Sequence, residues 1–410
     1  MTASQELNRA IEFELFDSWN YMEKNVYLSE ISSELIIAFS LDKHSIFHKF
    51  AALILTASIL VLMASCMETP PLTGIPDPGL DTPIYSVTTW AGSKKGLFDG
   101  KGEEARFNYP WGVAVSTRGD LYIGDSNNFN LRYVDRDRNV EILAGGEILS
   151  GHTNGEAEKA RFSRVMGVAL GTNGDLFVAD SENNLIRKVS HEGVVETLAG
   201  NLMPGFRDGK GDEAFFSNPA DVASTFDMTL FVADAFNHSI RQITPDGTVT
   251  TLAGTGRRGY RDGGGDVAQF TLPLGIDIGP DEEYLYVTEF FGHRIRQIHI
   301  ESGEVTTIAG NGTAGFEDGH LGVARLHRPM GIAAADDGAI YFSDSGNNSI
   351  RMIRDGIITT IAGNGQEGNQ DGVGQEARFS KPYHIELNVN ETFLFISDWN
   401  NHRIRKVQVQ

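Results

Sequence analysis

Cysteine is almost absent from this chain: Cys66 is the only one among 410 residues, so no intrachain disulfide can form. Basic residues are also few, because 34 lysines and arginines stand against 55 aspartates and glutamates, for a formal net charge of −21. Nucleic-acid binding depends on clustered cations that contact phosphates, so this charge argues against a DNA or RNA partner. The Gly-x-Ser-x-Gly, His-Glu-x-x-His and Walker motifs are missing too, which removes the common hydrolase and nucleotide-binding classes.

Long apolar runs are scarce, and the one that stands out covers residues 50–65, FAALILTASILVLMAS, after a short basic region. A membrane-spanning helix needs about 20 apolar residues, whereas a shorter run that ends in small residues is typical of a secretory signal. The run leads into Leu62-Met63-Ala64-Ser65-Cys66, which resembles a bacterial lipobox with Met63 in place of the usual leucine. The resemblance implies lipidation at Cys66 and two-chain membrane anchoring. A conventionally cleaved signal peptide, an uncleaved anchor and a buried structural segment are the alternatives.

These features divide the chain into four segments. Residues 41–66 are the expected signal segment, and residues 67–83 hold five prolines and form an expected extended tether. Residues 1–40 are either an unassigned extension or the product of a mis-set start, with Leu41 as an alternative initiation point. The folded domain is expected over residues 84–410. This organisation predicts an extracytoplasmic protein anchored to the bacterial cell envelope, and the lack of aspartate after Cys66 favours the outer membrane where the cell has one.

Glycine is abundant, with 46 residues in 410, against a usual share of about 7%, and the excess coincides with a repeat. A block of the form Val-Thr-Thr-[Leu/Ile/Trp]-Ala-Gly recurs, and its last glycines lie 53, 55, 54, 56 and 53 residues apart. A second block ends at an acidic residue, and an arginine follows seven residues later in every repeat. Those pairs are Asp125 and Arg132, Asp180 and Arg187, Asp234 and Arg241, Glu289 and Arg296, Asp344 and Arg351, and Asp398 and Arg405.

Apolar and polar residues alternate within these blocks, which predicts short β-strands separated by Gly, Asn and Asp turns. Each repeat holds four strands, named a to d in chain order, and six such repeats predict an all-β, six-bladed β-propeller. Strand d of the first block precedes the first strand a, and strand c comes last. The N-terminal strand is therefore expected to complete the C-terminal blade, which removes an open sheet edge.

The repeat itself resembles a known family. With variations between blades, the repeat follows the pattern Pro-x-Gly-Val-Ala, then a Leu-Tyr-Val-Ala-like strand, then Asp-x-x-Asn-x-x-Ile-Arg. This succession is similar to the NHL repeat, and the resemblance covers about residues 84–410. NHL propellers include protein-binding and RNA-binding modules, receptor sensor domains, and related six-bladed lyases and lactonases. The resemblance therefore implies the fold and leaves the function open.

Residues that recur in every blade are expected to be structural, because one active site does not need six copies. His238, His293 and His402 follow a turn residue in three b–c hairpins, where we expect a common variation of the turn rather than a metal site. Residues 208–212 and 262–266 resemble fragments of calcium loops but lack the closing glutamate. No cofactor is expected, with a divalent metal such as calcium as the alternative.

Departures from the repeat are more informative, and they fall at the start of strand a, which lines the central channel of a propeller. The position after the proline, or its equivalent, reads Trp111, Met166, Ala220, Leu274, Met330 and Tyr383. The next position is glycine in four blades but Asp221 in blade 3 and His384 in blade 6, on opposite sides of the ring. These side chains either plug the channel or line a ligand pocket at the face of the d–a and b–c loops. We expect Asp221 and His384 to face each other without contact.

Three functions remain open from the sequence. Repetition without a catalytic set favours a membrane-tethered binding module for a protein, peptide or glycan. The alternative is a metal-dependent lactonase-like or lyase-like enzyme that uses the channel mouth, with Asp221 and His384 as candidate residues. A structural role in an envelope assembly is the third.

Overall fold

The computed structural model of the protein describes residues 84–146 and 149–409. Six antiparallel sheets form the blades. Strands a to d are Pro110–Val115, Leu121–Asp125, Asn130–Val134 and Asn139–Ala144 in blade 1; Val165–Leu170, Leu176–Asp180, Leu185–Val189 and Val194–Gly200 in blade 2; Pro219–Ser224, Leu230–Asp234, Ser239–Ile243 and Thr248–Ala253 in blade 3; Pro273–Ile278, Tyr284–Glu289, Arg294–His299 and Val305–Ala309 in blade 4; Pro329–Ala334, Ile340–Asp344, Ser349–Arg354 and Ile357–Ala362 in blade 5; and Pro382–Leu387, Phe393–Asp398, Arg403–Gln408 and Ser86–Ala91 in blade 6.

The N-terminal strand closes the ring as predicted. Ser86–Ala91 pairs antiparallel with Arg403–Gln408, and Val87 lies opposite Val407. The predicted signal segment, Cys66 and the tether lie outside the described residues. Within the described ranges, no helix is long and apolar enough to cross a membrane.

Five blades carry a short fifth strand that the four-strand prediction did not include. The d–a loop that enters each of these blades contributes two residues, which pair with strand d on its outer side. These strands are Gly100–Lys101, Gly155–Glu156, Gly209–Lys210, Gly319–His320 and Gly372–Val373. In blade 4 a single bridge between Gly263 and Val305 takes their place. The long loop is therefore bound along the outer edge of the blade and covers it.

Short 3-10 helices are the other local elements. Five of them join strands b and c: Ser126–Asn128, Ser181–Asn183, Ala235–Asn237, Ser345–Asn347 and Trp399–Asn401. Three more follow short outer strands: Gly102–Glu104, Gly211–Glu213 and Gly374–Glu376. The residue after each b–c helix adopts a left-handed conformation, for example Asn184 with φ 57°, which asparagine tolerates better than most residues.

The hydrophobic core lies between the blades. Each cluster takes side chains from adjacent sheets; one combines Ala114 and Leu131 of blade 1 with Val168 and Val178 of blade 2. Both faces of a blade are covered in this way, which explains why every residue of Leu176–Asp180 is buried.

A buried arginine joins the entering loop of each blade to strand b. In blade 3, fully buried Arg241 donates from Nη1 to Asp234 Oδ2 at 2.8 Å and from Nη2 to Asp208 Oδ1 at 2.7 Å. Its guanidinium lies 5.1 Å from the ring centre of Phe216. We call this arrangement the arginine clamp. The other clamps consist of Arg132 with Asp125 and Asp99, Arg187 with Asp180 and Asn154, Arg296 with Glu289 and Asp262, Arg351 with Asp344 and Asp318, and Arg405 with Asp398 and Asp371.

Candidate functional site

The channel begins, at the face of the d–a and b–c loops, with an apolar layer. The six residues at the second position of strand a belong to one cluster, in which Leu274 is partly buried and the others are buried: Trp111, Met166, Ala220, Leu274, Met330 and Tyr383. Trp111 meets Tyr383 edge-on at 4.5 Å between ring centres, and Tyr383 stacks on Trp399 at 4.7 Å. These side chains pack against each other across the ring, so this end of the channel is filled by the protein's own residues. Their role as ligand contacts stays a prediction.

Asp221 and His384 lie directly behind this layer, and they touch. His384 Nε2 is 3.4 Å from Asp221 Oδ2, and the two side chains are 7% and 2% exposed. The expectation that they would face each other without contact is wrong. Blades 3 and 6 are opposite, but the glycines of the other four blades leave the centre free for these two side chains to meet.

Both residues also bind the backbone of the following blade. His384 Nδ1 accepts a hydrogen bond from Val113 N–H at 3.3 Å, and Asp221 Oδ2 accepts one from Ile276 N–H at 3.1 Å. Asp221 Oδ1 accepts a third from Val222 N–H at 2.9 Å. Burial disfavours the charged imidazolium, but the Asp221 carboxylate outweighs it and raises the pKa of His384. The contact with Val113 opposes protonation of Nδ1, so the arrangement places the imidazole proton on Nε2, toward Asp221.

Close packing of adjacent strands explains why the third residue of strand a, the position of Asp221 and His384, is glycine in the other four blades. A Cβ on Gly112 would lie 2.3 Å from Met166 O, and one on Gly275 would lie 2.0 Å from Met330 O. A side chain at either place would collide with the neighbouring backbone. Asp221 and His384 therefore stand at the two positions of this layer where the strands leave room.

Two further acidic residues line the next layer of the channel, and neither was among the predicted site residues. The fifth residue of strand a is alanine in four blades, whereas blade 4 has Asp277 and blade 6 has Glu386. Both residues depart from the repeat as Asp221 and His384 do, only two positions further along strand a, and this departure is the sequence signal for the pair. Strand residues two apart face the same side, so both layers face the channel.

The four ionisable groups influence one another. Burial, followed by the nearby Asp277 charge, raises the pKa of Glu386 to about 8. Burial also raises the pKa of Asp277 to about 6, although its carboxylate accepts hydrogen bonds from Ala334 N–H and Ile278 N–H, both at 2.8 Å. At neutral pH Glu386 therefore keeps its proton while Asp277 is mostly ionised. The layer can bind an additional positive charge in exchange for that proton.

A cavity of about 330 Å³ opens next to this layer, at the face of the a–b hairpins and opposite the apolar layer. The pocket predicted from the sequence lay at the other face, that of the d–a and b–c loops. Blades 2, 3 and 4 supply most of the wall, and Asp277, His384, Glu386, Glu282 and Asp336 supply its ionisable groups. No lysine or arginine lines it. A volume near the lower end of known ligand sites suits one side chain or one ring.

The repeated candidates for metal binding have other partners. Asp208 and Asp262, which open the two calcium-like segments, hold Arg241 and Arg296 in their clamps. The ring nitrogens of His238 and His402 accept hydrogen bonds from Leu272 N–H and Tyr109 N–H of the next blades. Within residues 84–146 and 149–409, no group of three or more His, Cys, Asp and Glu side chains has the arrangement of a metal site.

Six radial sheets closed by the N-terminal strand define a β-propeller, and the repeat assigns its family. Residues 107–132 and 162–189 match the NHL repeat, and residues 204–370 match the teneurin NHL domain. The chain belongs to the NHL-repeat six-bladed propellers.

Curated relatives share the repeat over most of this chain. Protein SUPPRESSOR OF QUENCHING 1, chloroplastic, of Arabidopsis thaliana is 30% identical over 321 residues, which are 73% of this chain and 30% of that protein. NHL repeat-containing protein 2 of Bos taurus is 28% identical over 334 residues, which are 72% of this chain and 45% of that protein. The chain thus spans less than half the length of these relatives.

Solved structures share the fold at lower identity. An auxiliary nutrient binding protein from Bacteroides ovatus has a TM-score of 0.61 and 20% identity, with 80% of this chain and 77% of that chain covered. A gluconolactonase from Xanthomonas campestris has a TM-score of 0.52 and 13% identity, with 84% of this chain and 100% of that chain covered. At such identities the likeness extends to the fold alone.

Proposed function

We propose that this propeller is an extracytoplasmic, membrane-tethered binding module whose channel cavity takes a positively charged group of a peptide or protein ligand. The cavity is the observation that carries the proposal, because its ionisable wall contains four carboxyl groups and one histidine but no lysine or arginine. A guanidinium or ammonium group complements such a wall, since charge-assisted hydrogen bonds to carboxylates are stronger than neutral ones. A glycan, the other partner class open from the sequence, would offer hydroxyl groups without this charge.

Binding explains the channel better than the enzymatic alternative. Asp221 and His384 hold each other and the backbone of the following blades, so their hydrogen-bonding atoms are already engaged. A general base needs a free lone pair directed at its substrate. The name of the Bacteroides ovatus neighbour, an auxiliary nutrient binding protein, also supports a binding role.

A guanidinium probe tests this proposal. N-acetyl-arginine amide is expected to bind the full-length chain, measured by calorimetry in detergent, and its neutral analogue N-acetyl-citrulline amide is not. Glu386 carries the proton that a cation displaces, so affinity is expected to rise by up to about a hundredfold between pH 6 and pH 9, as Glu386 ionises through its pKa of about 8. The guanidinium stays charged throughout this range.

Matched variants locate the binding site. Asp277→Asn is expected to weaken binding at least tenfold, and Glu386→Gln is expected to leave only about a twofold rise in affinity with pH, from the ionisation of Asp277. Asp246→Asn, which removes an exposed carboxylate paired with Lys210 on the outer edge of blade 3, is the control. Equal binding of both probes, or equal losses in Asp246→Asn and Asp277→Asn, would contradict the proposal.

The tether has a separate test. Cys66→Ser is expected to abolish fatty-acid incorporation and to release the propeller from the membrane fraction, measured by metabolic labelling and fractionation of the producing cells. Ser65→Ala keeps a small residue before the cysteine and is expected to leave labelling intact. Unchanged labelling and attachment in Cys66→Ser would show that the lipobox interpretation is wrong.

A further inference from the structure

We infer that a second, anion-binding site lies between the outer strands of blades 6 and 1 and takes a phosphate group. A concavity of about 500 Å³ is present there, and Lys101, Arg136, Arg138 and Lys406 line it with one carboxylate, Asp137. This local excess of cations contrasts with the chain as a whole, which carries 21 more acidic than basic side chains. Thr88, Thr89 and Trp90 complete the lining. We call this concavity the seam site, and it is independent of the channel.

The cations of the seam site lack the carboxylate partners that equivalent cations have in other blades. In blade 3, Lys210 occupies the position that Lys101 has in blade 1, and its Nζ lies 2.8 Å from Asp246 Oδ2. In blade 2, Lys188 occupies the position that Lys406 has in blade 6, and its Nζ lies 3.0 Å from Asp175 Oδ2. At the seam, Asp137 occupies the position of Asp246 in the turn between strands c and d of blade 1, but it forms no salt bridge with Lys101 and is flanked by Arg136 and Arg138. Among the described residues, no carboxylate forms a salt bridge with the four seam cations.

Trp90 gives a second, independent reason to expect a ligand. This residue replaces the leucine or isoleucine that the other five blades have at the same place in strand d. Its Nε1–H is buried, and no described residue accepts a hydrogen bond from it. A buried donor without an acceptor is unfavourable and uncommon. An anion that reached the indole would supply the missing acceptor.

Two of the four cations lie near the indole. Lys406 Nζ lies 4.7 Å and Arg138 Cζ 5.9 Å from the ring centre of Trp90. Lys406 Nζ also lies 3.4 Å from the ring centre of Phe393, and burial lowers its pKa. Two cations near one ring raise the local positive potential, which favours an anion in the concavity.

The chemistry of the lining defines the ligand class. Ammonium, guanidinium and indole groups are donors only, so the ligand must be rich in acceptors and negatively charged. A phosphate group satisfies both conditions and forms charge-assisted hydrogen bonds with lysine and arginine. Free phosphate and a phospholipid headgroup both carry this group, and the experiment separates them.

Inorganic phosphate is the first probe. It is expected to raise the melting temperature of the full-length chain above that in chloride at equal ionic strength, because a ligand of the folded state stabilises it. The double variant Lys406→Met, Arg138→Gln is expected to bind phosphate at least tenfold more weakly, since it loses two charge-assisted contacts. Trp90→Phe keeps an aromatic ring beneath Lys406 and is expected to weaken binding through loss of the N–H alone.

Lys188→Met and Lys210→Met are the matched controls, because they remove the equivalent but paired cations. Both are expected to bind phosphate as the unmodified chain does. No stabilisation beyond chloride, or an equal loss of binding in the controls, would overturn the seam site. In a second arm, phosphatidylcholine vesicles with and without phosphatidylglycerol are mixed with Cys66→Ser protein. Binding that depends on phosphatidylglycerol and is displaced by phosphate assigns the site to a headgroup, whereas phosphate binding without vesicle binding assigns it to free phosphate.

Discussion

Arg241→Met is expected to lower the free energy of unfolding by about 3–5 kcal/mol, measured by chemical denaturation at neutral pH. Methionine approximates the length of the arginine stem but removes the guanidinium. Asp234, which is fully buried, would then lose its cation, and Asp208 would lose the contact that holds the entering loop. An unpaired carboxylate in the interior is strongly unfavourable because it has been removed from water without compensation.

Lys159→Met is the control for this prediction. Lys159 also contacts a carboxylate, Glu156 Oε2 at 2.6 Å, but the two side chains are 74% and 73% exposed. Exposed ion pairs contribute about 0–1 kcal/mol, so this variant is expected to change stability little. Equal losses in the two variants would show that the clamp stabilises the blade no more than a surface pair does.

The clamp also shows what the repeat allows the sequence to predict. Six copies of an acidic residue with an arginine seven positions later identified both residues of the inner half of each clamp as structural, and the structure shows that they pair within one blade. The outer half, which is the contact between the arginine and the d–a loop, was not predicted, because Asp208 and Asp262 lie in glycine-rich segments that resemble calcium loops. The carboxylate was visible in the sequence, but its partner became clear only when the loop was seen to run along strand d as a fifth strand.

Glu289 illustrates a departure that needs two positions to be understood. In the other blades an asparagine three residues after the acidic residue donates to it, as Asn237 does to Asp234 at 2.8 Å. Blade 4 has Gly292 there, and a Cβ on that glycine would lie 2.7 Å from Glu289 Oε2. The longer glutamate thus fills the space of the missing side chain. The sequence displays both changes, but only their contact explains them.

The channel was predictable in position and not in detail. Blade order placed Asp221 and His384 on opposite sides of the ring, yet whether they touch depends on the width of the channel. That width is determined by how closely the glycine-containing strands approach one another, for instance Gly112 against Met166. Inter-strand packing at this scale is a property of the assembled ring, which no single repeat encodes.

Acid stability tests a second repeated contact, in which residues of the b–c turns hold adjacent blades together. His238, His293 and His402 each accept a backbone N–H of the next blade through Nδ1, at 3.2, 3.0 and 3.1 Å. Asn184 and Asn348 make the same contact through their side-chain oxygens, at 2.9 and 2.8 Å. The three histidines must be neutral at Nδ1 to accept these hydrogen bonds.

Burial, followed by neighbouring positive charges, lowers the pKa of each of these histidines to about 4 from 6.5. The unfolded chain therefore binds more protons than the folded chain between pH 6.5 and pH 4. Stability falls with falling pH across this window, by about 1–2 kcal/mol per histidine when partial exposure is allowed for. The contribution is fully present above pH 6.5 and lost as the pH falls through 4.

The triple variant His238→Asn, His293→Asn, His402→Asn separates this contact from other titrating groups. Asparagine accepts the same N–H and tolerates the left-handed backbone, as Asn184 and Asn348 show. The variant is expected to match the unmodified chain near pH 8 and to exceed its stability by several kcal/mol at pH 4, measured by denaturant unfolding across the pH range. His152→Asn, at an exposed histidine, is expected to change nothing. An unaltered acid response in the triple variant would mean that the folded and unfolded chains protonate these histidines alike, and the inter-blade contact would then not require a neutral ring.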